Sequence, residues 1–292
     1  MTSSVMPVSR FHSAPDGLKL HLRDYNCDAP GTPILCLPGL ARTAEDFDTL
    51  ACVLSGSRRV IAIDYRGRGL SDWDPDWKNY DLMVENADIL SQLTAIGVSE
   101  AIIVGTSRGG IHAMLMAATR PTMLRAVVLN DIGPVLEVKG LARIRSYVGK
   151  LPAPGSWPDA VDLAKRIMSS QFTALTEAEW ETYTRATFEE KDGHFLPRYD
   201  AKLTKILEQF NLEAPLPSLW PQFEGLRDVP VLTLRGDNSD LLSKQTLEQM
   251  SARHPRFQAH TVFGQGHAPL LLDAPTIARI EQFINGCDKP RV

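Results

Sequence analysis

The sequence predicts an α/β fold built on a mostly parallel sheet, and three observations carry that prediction. Short all-apolar runs rich in β-branched residues, such as Val60-Ile61-Ala62-Ile63 and Ala101-Ile102-Ile103-Val104, have the length and composition of strands buried on both faces. Longer segments with apolar residues at helical spacing lie between them, so strands and helices alternate. The third observation is a strand–turn–helix unit. Here the run at 101–104 passes through Gly105-Thr106-Ser107-Arg108-Gly109-Gly110 into a helical pattern with Ile111, Met114, Leu115 and Ala118 on one face.

Composition narrows the class. The 292 residues suffice for one large α/β domain, with or without an insertion. Hydrophobic residues make up 43%, charged residues 23%, and the net charge is −4, which argues against a nucleic-acid or polybasic membrane role. No stretch of 18 apolar residues would span a bilayer. Met1-Thr2-Ser3-Ser4-Val5-Met6-Pro7 lacks the apolar core of a signal peptide, and the four scattered cysteines have no metal-type spacing. The expectation is a cytoplasmic protein with reduced thiols.

Along the chain, residues 10–25 read as a hairpin turning at Pro15-Asp16-Gly17. A buried strand, Pro33-Ile34-Leu35-Cys36-Leu37, ends at Pro38-Gly39-Leu40, and Phe47, Leu50, Ala51 and Leu54 mark the helix after it. The strand at 60–63 runs into Asp64 and a Gly-rich loop, Tyr65-Arg66-Gly67-Arg68-Gly69-Leu70-Ser71-Asp72. Leu82, Ala87, Leu90, Leu93 and Ile96 then mark a long helix. After the Ser107 unit, Ala126-Val127-Val128-Leu129-Asn130 ends at Asp131-Ile132-Gly133-Pro134. The alternation breaks over 135–217, which reads as helical throughout with no strand-like run. It gathers Trp157, Phe172, Trp180, Tyr183, Phe188, Phe195 and Tyr199. Two units follow: a core of 1–134 and 218–292, and an inserted helical cap of 135–217 whose aromatics form a small core and line a pocket. The sheet resumes at Val229-Pro230-Val231-Leu232-Thr233-Leu234, followed by Arg235-Gly236-Asp237-Asn238-Ser239-Asp240 and a helix capped by Ser243. The last strand, 257–262, leads to Gly264-Gln265-Gly266-His267-Ala268-Pro269 and a final helix from near Pro275.

The chemistry-bearing residues follow from this layout. A serine at a sharp strand-to-helix turn needs small neighbours two residues either side, and the helix N-terminus behind it favours developing negative charge. A serine hydroxyl is a poor nucleophile at neutral pH, so an imidazole must take its proton and a carboxylate must orient that imidazole. His267, just past the last strand, is the histidine placed for that task; His12, His21, His194, His254 and His260 suit structural roles, and His112 suits packing within the helix that follows Ser107. For the acid, Asp240 is favoured, Asp237 is second, and Asp131, at the end of an earlier strand, is a third option. Two main-chain N–H groups must hold the oxyanion, those of Arg108 and, from the Pro38-Gly39-Leu40 turn, Leu40, with Gly39 allowing the backbone approach. The Arg108 side chain is then free for a salt bridge or for anion recognition.

Leu37-Pro38-Gly39, the Asp64–Asp72 loop, Gly105-Thr106-Ser107-Arg108-Gly109-Gly110, Arg235-Gly236-Asp237-Asn238-Ser239-Asp240 and Gly266-His267 together resemble the α/β-hydrolase superfamily, in particular bacterial esterase-like members with a helical cap. The resemblance spans nearly the whole chain outside the cap. It implies the α/β-hydrolase fold, with a mostly parallel eight-stranded sheet and helices on both faces. It also implies Asp240 as the acid through the Gly-x-x-Ser-Asp loop, and hydrolysis of carboxylic esters, or of lactone or thioester relatives, through an acyl-enzyme with no cofactor and no metal. Two departures bear on substrate subclass: Pro38 stands where many relatives have His, and Arg108 where an apolar residue is usual. Ser107 argues against the dehalogenases, which use Asp there, and against the epoxide hydrolases, many of which do too. C–C bond hydrolysis, cofactor-free haloperoxidase or perhydrolase activity, a lyase reaction and a non-catalytic binding role are the alternatives. The expected partner is a small ester-like molecule, with no nucleic acid and no membrane; a homodimer is left open.

Overall fold

The structure, a computed structural model, describes residues 6–287. The reading of the N-terminus and the outer ends of the proposed core unit therefore lie partly outside the described residues. Eight strands form one sheet: β1 (Val8–Ser13), β2 (Lys19–Tyr25), β3 (Ile34–Leu37), β4 (Val60–Asp64), β5 (Ala101–Thr106), β6 (Leu124–Asn130), β9 (Val231–Gly236) and β10 (Phe257–Val262). Their spatial order is β1-β2-β4-β3-β5-β6-β9-β10. The β1–β2 and β2–β4 pairings are antiparallel and the rest are parallel. This is the expected mostly parallel eight-stranded sheet.

Strand periodicity divides the core into two layers. Leu35, Leu37, Ile61, Ile63, Ile103, Val127 and Leu129 share one cluster with residues of α2 (Leu82–Ala95), α3 (Arg108–Thr119) and α8 (Trp220–Glu224). Their alternates Ile34, Cys36, Val60, Ala62, Ile102, Val104 and Val128 pack with α1 (Asp48–Leu54) and α10 (Ala274–Gly286). Helices thus cover both faces, as a parallel sheet requires. Ser243 caps α9 (Lys244–Arg253) by accepting from the Thr246 N–H. The buried side of α3 is broader than the expected stripe: His112, Ala113, Met114, Met116 and Ala117 are buried, while Ile111 and Leu115 are half-buried and Ala118 is exposed. The helix lies against the sheet, α2 and α8 at once, so a single apolar stripe does not describe it.

Between β6 and β9 the chain leaves the sheet. It forms α4 (Val138–Tyr147), α5 (Trp157–Met168), α6 (Glu177–Thr187) and α7 (Thr204–Glu208), and also a two-stranded hairpin of β7 (Phe188–Lys191) and β8 (His194–Pro197). The hairpin corrects the all-helical expectation for 135–217. Its turn, Asp192-Gly193, has φ of 53° and 75°, the two positive values that a tight hairpin turn of the favoured twist requires. The segment is tied to the Gly-rich loop and to the stretch before α2: Gly69 N–H donates to Arg198 O, Asp200 N–H donates to Gly67 O, and the Tyr80 hydroxyl donates to Asp200 at 2.6 Å.

Candidate active site

Ser107 sits between β5 and α3 with φ 50° and ψ −111°, a sparsely populated conformation for a residue with a side chain. The glycines around it are obligatory. A Cβ on Gly105 would lie 2.5 Å from the Gly109 main chain, and one on Gly109 would lie 2.0 Å from the Leu37 carbonyl oxygen. Strand, turn and helix therefore pack closely enough to hold the serine in this conformation. At Gly39, by contrast, a Cβ would meet nothing closer than 3.4 Å, so close approach does not demand that glycine.

His267 lies 6% exposed in the loop after β10, and its Nε2 is 2.9 Å from Ser107 Oγ. Its Nδ1 is 2.8 Å from Oδ2 of Asp131. The structure thus brings Ser107 and His267 together as expected, and it corrects the acid: Asp131, not Asp240, meets the imidazole. Strand register is the reason. Parallel pairing sets Thr106 against Asn130 at the ends of β5 and β6, so the next residues of the two strands, Ser107 and Asp131, leave the sheet side by side. Asp131 is fully buried with φ 53°, and it also accepts from Gly236 N–H at 2.9 Å and from the Ser239 hydroxyl at 2.5 Å. These donors satisfy a carboxylate that burial would otherwise penalise.

Asp240 is turned the other way. Arg143 of α4 grips it through Nε at 2.7 Å and Nη2 at 2.9 Å. Its backbone abuts α4 so closely that a Cβ on Gly140 would lie 2.7 Å from the Asp240 carbonyl. Burial alone would raise the Asp240 carboxyl; the Arg143 guanidinium, with a smaller contribution from His267, holds it below the usual carboxylate range. Asp237 makes no hydrogen bond to His267 either, and the residue of this loop that reaches the relay is Ser239. Gln171, which the sequence did not single out, accepts from the His267 N–H at 3.0 Å and fixes that loop from the inserted segment.

A cavity of about 130 Å³ opens at Ser107 and His267. Gly39, Leu40 and Ala41 form one wall, and residues 144–199 of the inserted segment form most of the rest. Of the aromatics of that segment, Phe172, Tyr183, Phe188 and Tyr199 line the cavity with Tyr147, whereas Trp157, Trp180 and Phe195 pack elsewhere. Arg42, paired with Asp46 at 2.7 and 2.5 Å, lies over the Tyr183 ring at 4.4 Å. That guanidinium already has its counter-charge, so the wall it contributes to presents a compensated pair. Among the described residues, neither the Leu40 nor the Arg108 N–H donates to a protein acceptor, and Leu40 lines the cavity beside Ser107. The Arg108 side chain is buried, with Nε 2.6 Å from Glu85, so it is a salt-bridging residue. His21 and His254 are likewise structural, paired with Asp64 at 2.7 Å and with the Leu226 carbonyl at 2.9 Å.

Comparison with known proteins bears on the family and the fold. Residues 34–279 match the model of the alpha/beta hydrolase family. A 3-hydroxybutyrate-oligomer hydrolase of Cupriavidus necator is 30% identical over 282 residues, covering 94% of this chain and 95% of that protein. The sn-1-specific diacylglycerol lipase ABHD11 of Mus musculus is 27% identical over 259 residues, covering 87% of this chain and 80% of that protein. Among solved structures, an alpha/beta hydrolase from Novosphingobium aromaticivorans superposes with a TM-score of 0.89 at 35% identity, covering 96% of this chain and 99% of that one. With the expected sheet and a matched span that runs from β3 into α10, the chain belongs to the alpha/beta hydrolase family and is an enzyme of hydrolytic type.

Proposed function

We propose that this protein cleaves carboxylic esters of small to medium acyl groups through an acyl-enzyme on Ser107, with His267 as base and Asp131 as its orienting acid. The observation that carries the reading is the continuous relay from Ser107 Oγ to His267 Nε2 and from Nδ1 to Asp131, at the floor of an apolar cavity. In the first step Ser107 Oγ bonds to the acyl carbon while its proton passes to His267 Nε2. The carbonyl oxygen becomes an oxyanion held by the Leu40 and Arg108 N–H groups. Collapse breaks the ester C–O bond, and the alcohol departs with the proton from His267. Water then gives a proton to His267 and attacks the acyl carbon, and Ser107 leaves with that proton restored. Asp131 keeps the Nδ1 proton in place and stabilises the imidazolium without taking the proton.

Segment 135–217 acts in this reading as a cap whose aromatics bound the acyl group. Short hydroxy-acid oligoesters are the first candidate substrates, since the Cupriavidus necator relative is a hydrolase of 3-hydroxybutyrate oligomers. The test is labelling by a fluorophosphonate, followed by turnover on acyl esters of increasing length and on the dimer and trimer of 3-hydroxybutyrate. Labelling at Ser107 with turnover falling as the acyl chain outgrows the cavity supports the reading; an unlabelled, inert protein contradicts it.

A further inference from the structure

The Gly-rich loop after β4 and the Arg108 side chain take no part in the relay, yet they converge on one buried carboxylate. Glu85, on α2, is 0% exposed. Its Oε1 accepts from Arg68 Nη1 at 2.6 Å, and its Oε2 accepts from Arg108 Nε at 2.6 Å, with His112 Nε2 3.2 Å from the same oxygen. Each guanidinium also grips the main chain. Arg68 Nε donates to the Leu40 carbonyl at 2.8 Å, and Arg108 Nη2 donates to the Tyr80 carbonyl at 2.8 Å. Tyr65, whose ring packs 5.1 Å from His112, donates its hydroxyl to the Pro38 carbonyl at 3.2 Å. Burial alone would raise the Glu85 carboxyl, but the Arg108 and Arg68 guanidiniums hold it well below the usual carboxylate range, so it stays ionised.

Leu40 and Arg108 come from different elements, the turn after β3 and the start of α3. Hydrogen bonds between their own backbones do not set their separation. The β3–β5 pairing brings the two elements together, and one carboxylate then reaches both, Leu40 through the Arg68 fork and Arg108 through its own guanidinium. We propose that Glu85 is a positioning residue: through Arg68 and Arg108 it fixes the two N–H donors of the oxyanion site at the spacing the tetrahedral intermediate needs. The inference rests on the proposed function, because it assigns the donors to an acyl-transfer oxyanion.

The test compares Glu85→Gln and Arg68→Met with Arg66→Met. Arg66 is an equally buried arginine on the same loop, bound to Asp88 at 2.7 and 2.8 Å and to Asp74 at 2.7 Å, and its side chain reaches neither donor residue. Steady-state kinetics and the affinity of a trifluoromethyl ketone, which forms a tetrahedral adduct on serine, are measured at a temperature where every variant is folded. For Glu85→Gln and Arg68→Met, kcat should fall about 10- to 100-fold with KM within about twofold, and the ketone should weaken in parallel. Arg66→Met should lose thermal stability with kcat and ketone affinity retained. Equal kcat in all three variants, or a fall in kcat that the ketone does not follow, overturns the proposal. Should Glu85→Gln not fold, Arg68→Lys carries the same comparison, since it keeps a charge beside Glu85 but cannot also reach the Leu40 carbonyl in the fork geometry. Ser107→Ala separates the positioning role from the esterase reading. If it is inactive while the Glu85 and Arg68 variants turn over normally, the positioning role fails and the esterase reading stands; if it is active, the esterase reading itself fails.

Discussion

Ser107 illustrates how little of a reactive residue's behaviour belongs to the residue alone. Its φ of 50° is enforced by the close packing of β5, β3 and α3 at Gly105 and Gly109, and its hydroxyl faces His267 because of that backbone. Ser107→Ala should leave the fold intact and reduce turnover by about 10⁴-fold or more, as expected when triad members act as a unit. Fluorophosphonate labelling should disappear with it. Gly109→Ala should act on the fold instead. The added methyl would meet backbone at 2.0 Å, which cannot give as a flexible side chain could, so the loss should be on the order of 3 kcal/mol or more, read by thermal melting. A Gly109→Ala protein with unchanged melting temperature would show that the strand-to-helix turn is looser than the contact at Gly109 implies. The serine, the histidine and both glycines were legible in the sequence because the motif and its strand–helix context state the geometry directly. Glu85 and Gln171 were not, since a single acidic or amide residue inside an amphipathic pattern carries no mark of the partner it meets from another element.

At the scale of elements, the loop after β9 shows why the acid was the harder reading. From the sequence, Asp237, Asp240 and Asp131 are all short polar residues after buried strands, and the family pattern favours Asp240. What decides between them is the β5–β6 register and the approach of α4, neither of which is written in local composition. Asp240 binds Arg143 and thereby links the β9 loop to the first helix of the inserted segment. Arg143→Ala should therefore cost about 2 kcal/mol, the scale of a charge-assisted hydrogen-bonded pair, and raise KM more than it lowers kcat. Urea unfolding and steady-state kinetics on one ester check both parts; an unaltered KM would mean that this contact does not help shape the cavity. The β7–β8 hairpin is the opposite case. Its Asp192-Gly193 signal was present in the sequence, but four-residue strands among helices are too short for periodicity to display.

For the whole molecule, the parallel sheet sets the chemistry at one edge: the relay draws on the carboxyl ends of β5 and β6 and on the loop after β10, with Ser239 of the β9 loop behind it. The buried ion cluster beneath that edge also gives a pH signature. A Glu85 carboxyl held below its ordinary value of 4.5 stabilises the fold fully above that value, and this contribution is lost as pH falls below it and the group protonates. The melting temperature of the wild type should accordingly fall more steeply below about pH 4.5 than that of Glu85→Gln, whose amide does not titrate there. Parallel curves for the two proteins would remove Glu85 from the acid-labile set. On this reading topology, not loop composition, selects the acid. The turnover of Asp131→Asn beside that of Asp240→Asn on the same ester tests this. A loss of about 10⁴-fold in kcat is expected for Asp131→Asn, the scale for removing the carboxylate that orients the imidazole, and at most about tenfold for Asp240→Asn. A dead Asp240→Asn beside a nearly normal Asp131→Asn would contradict it.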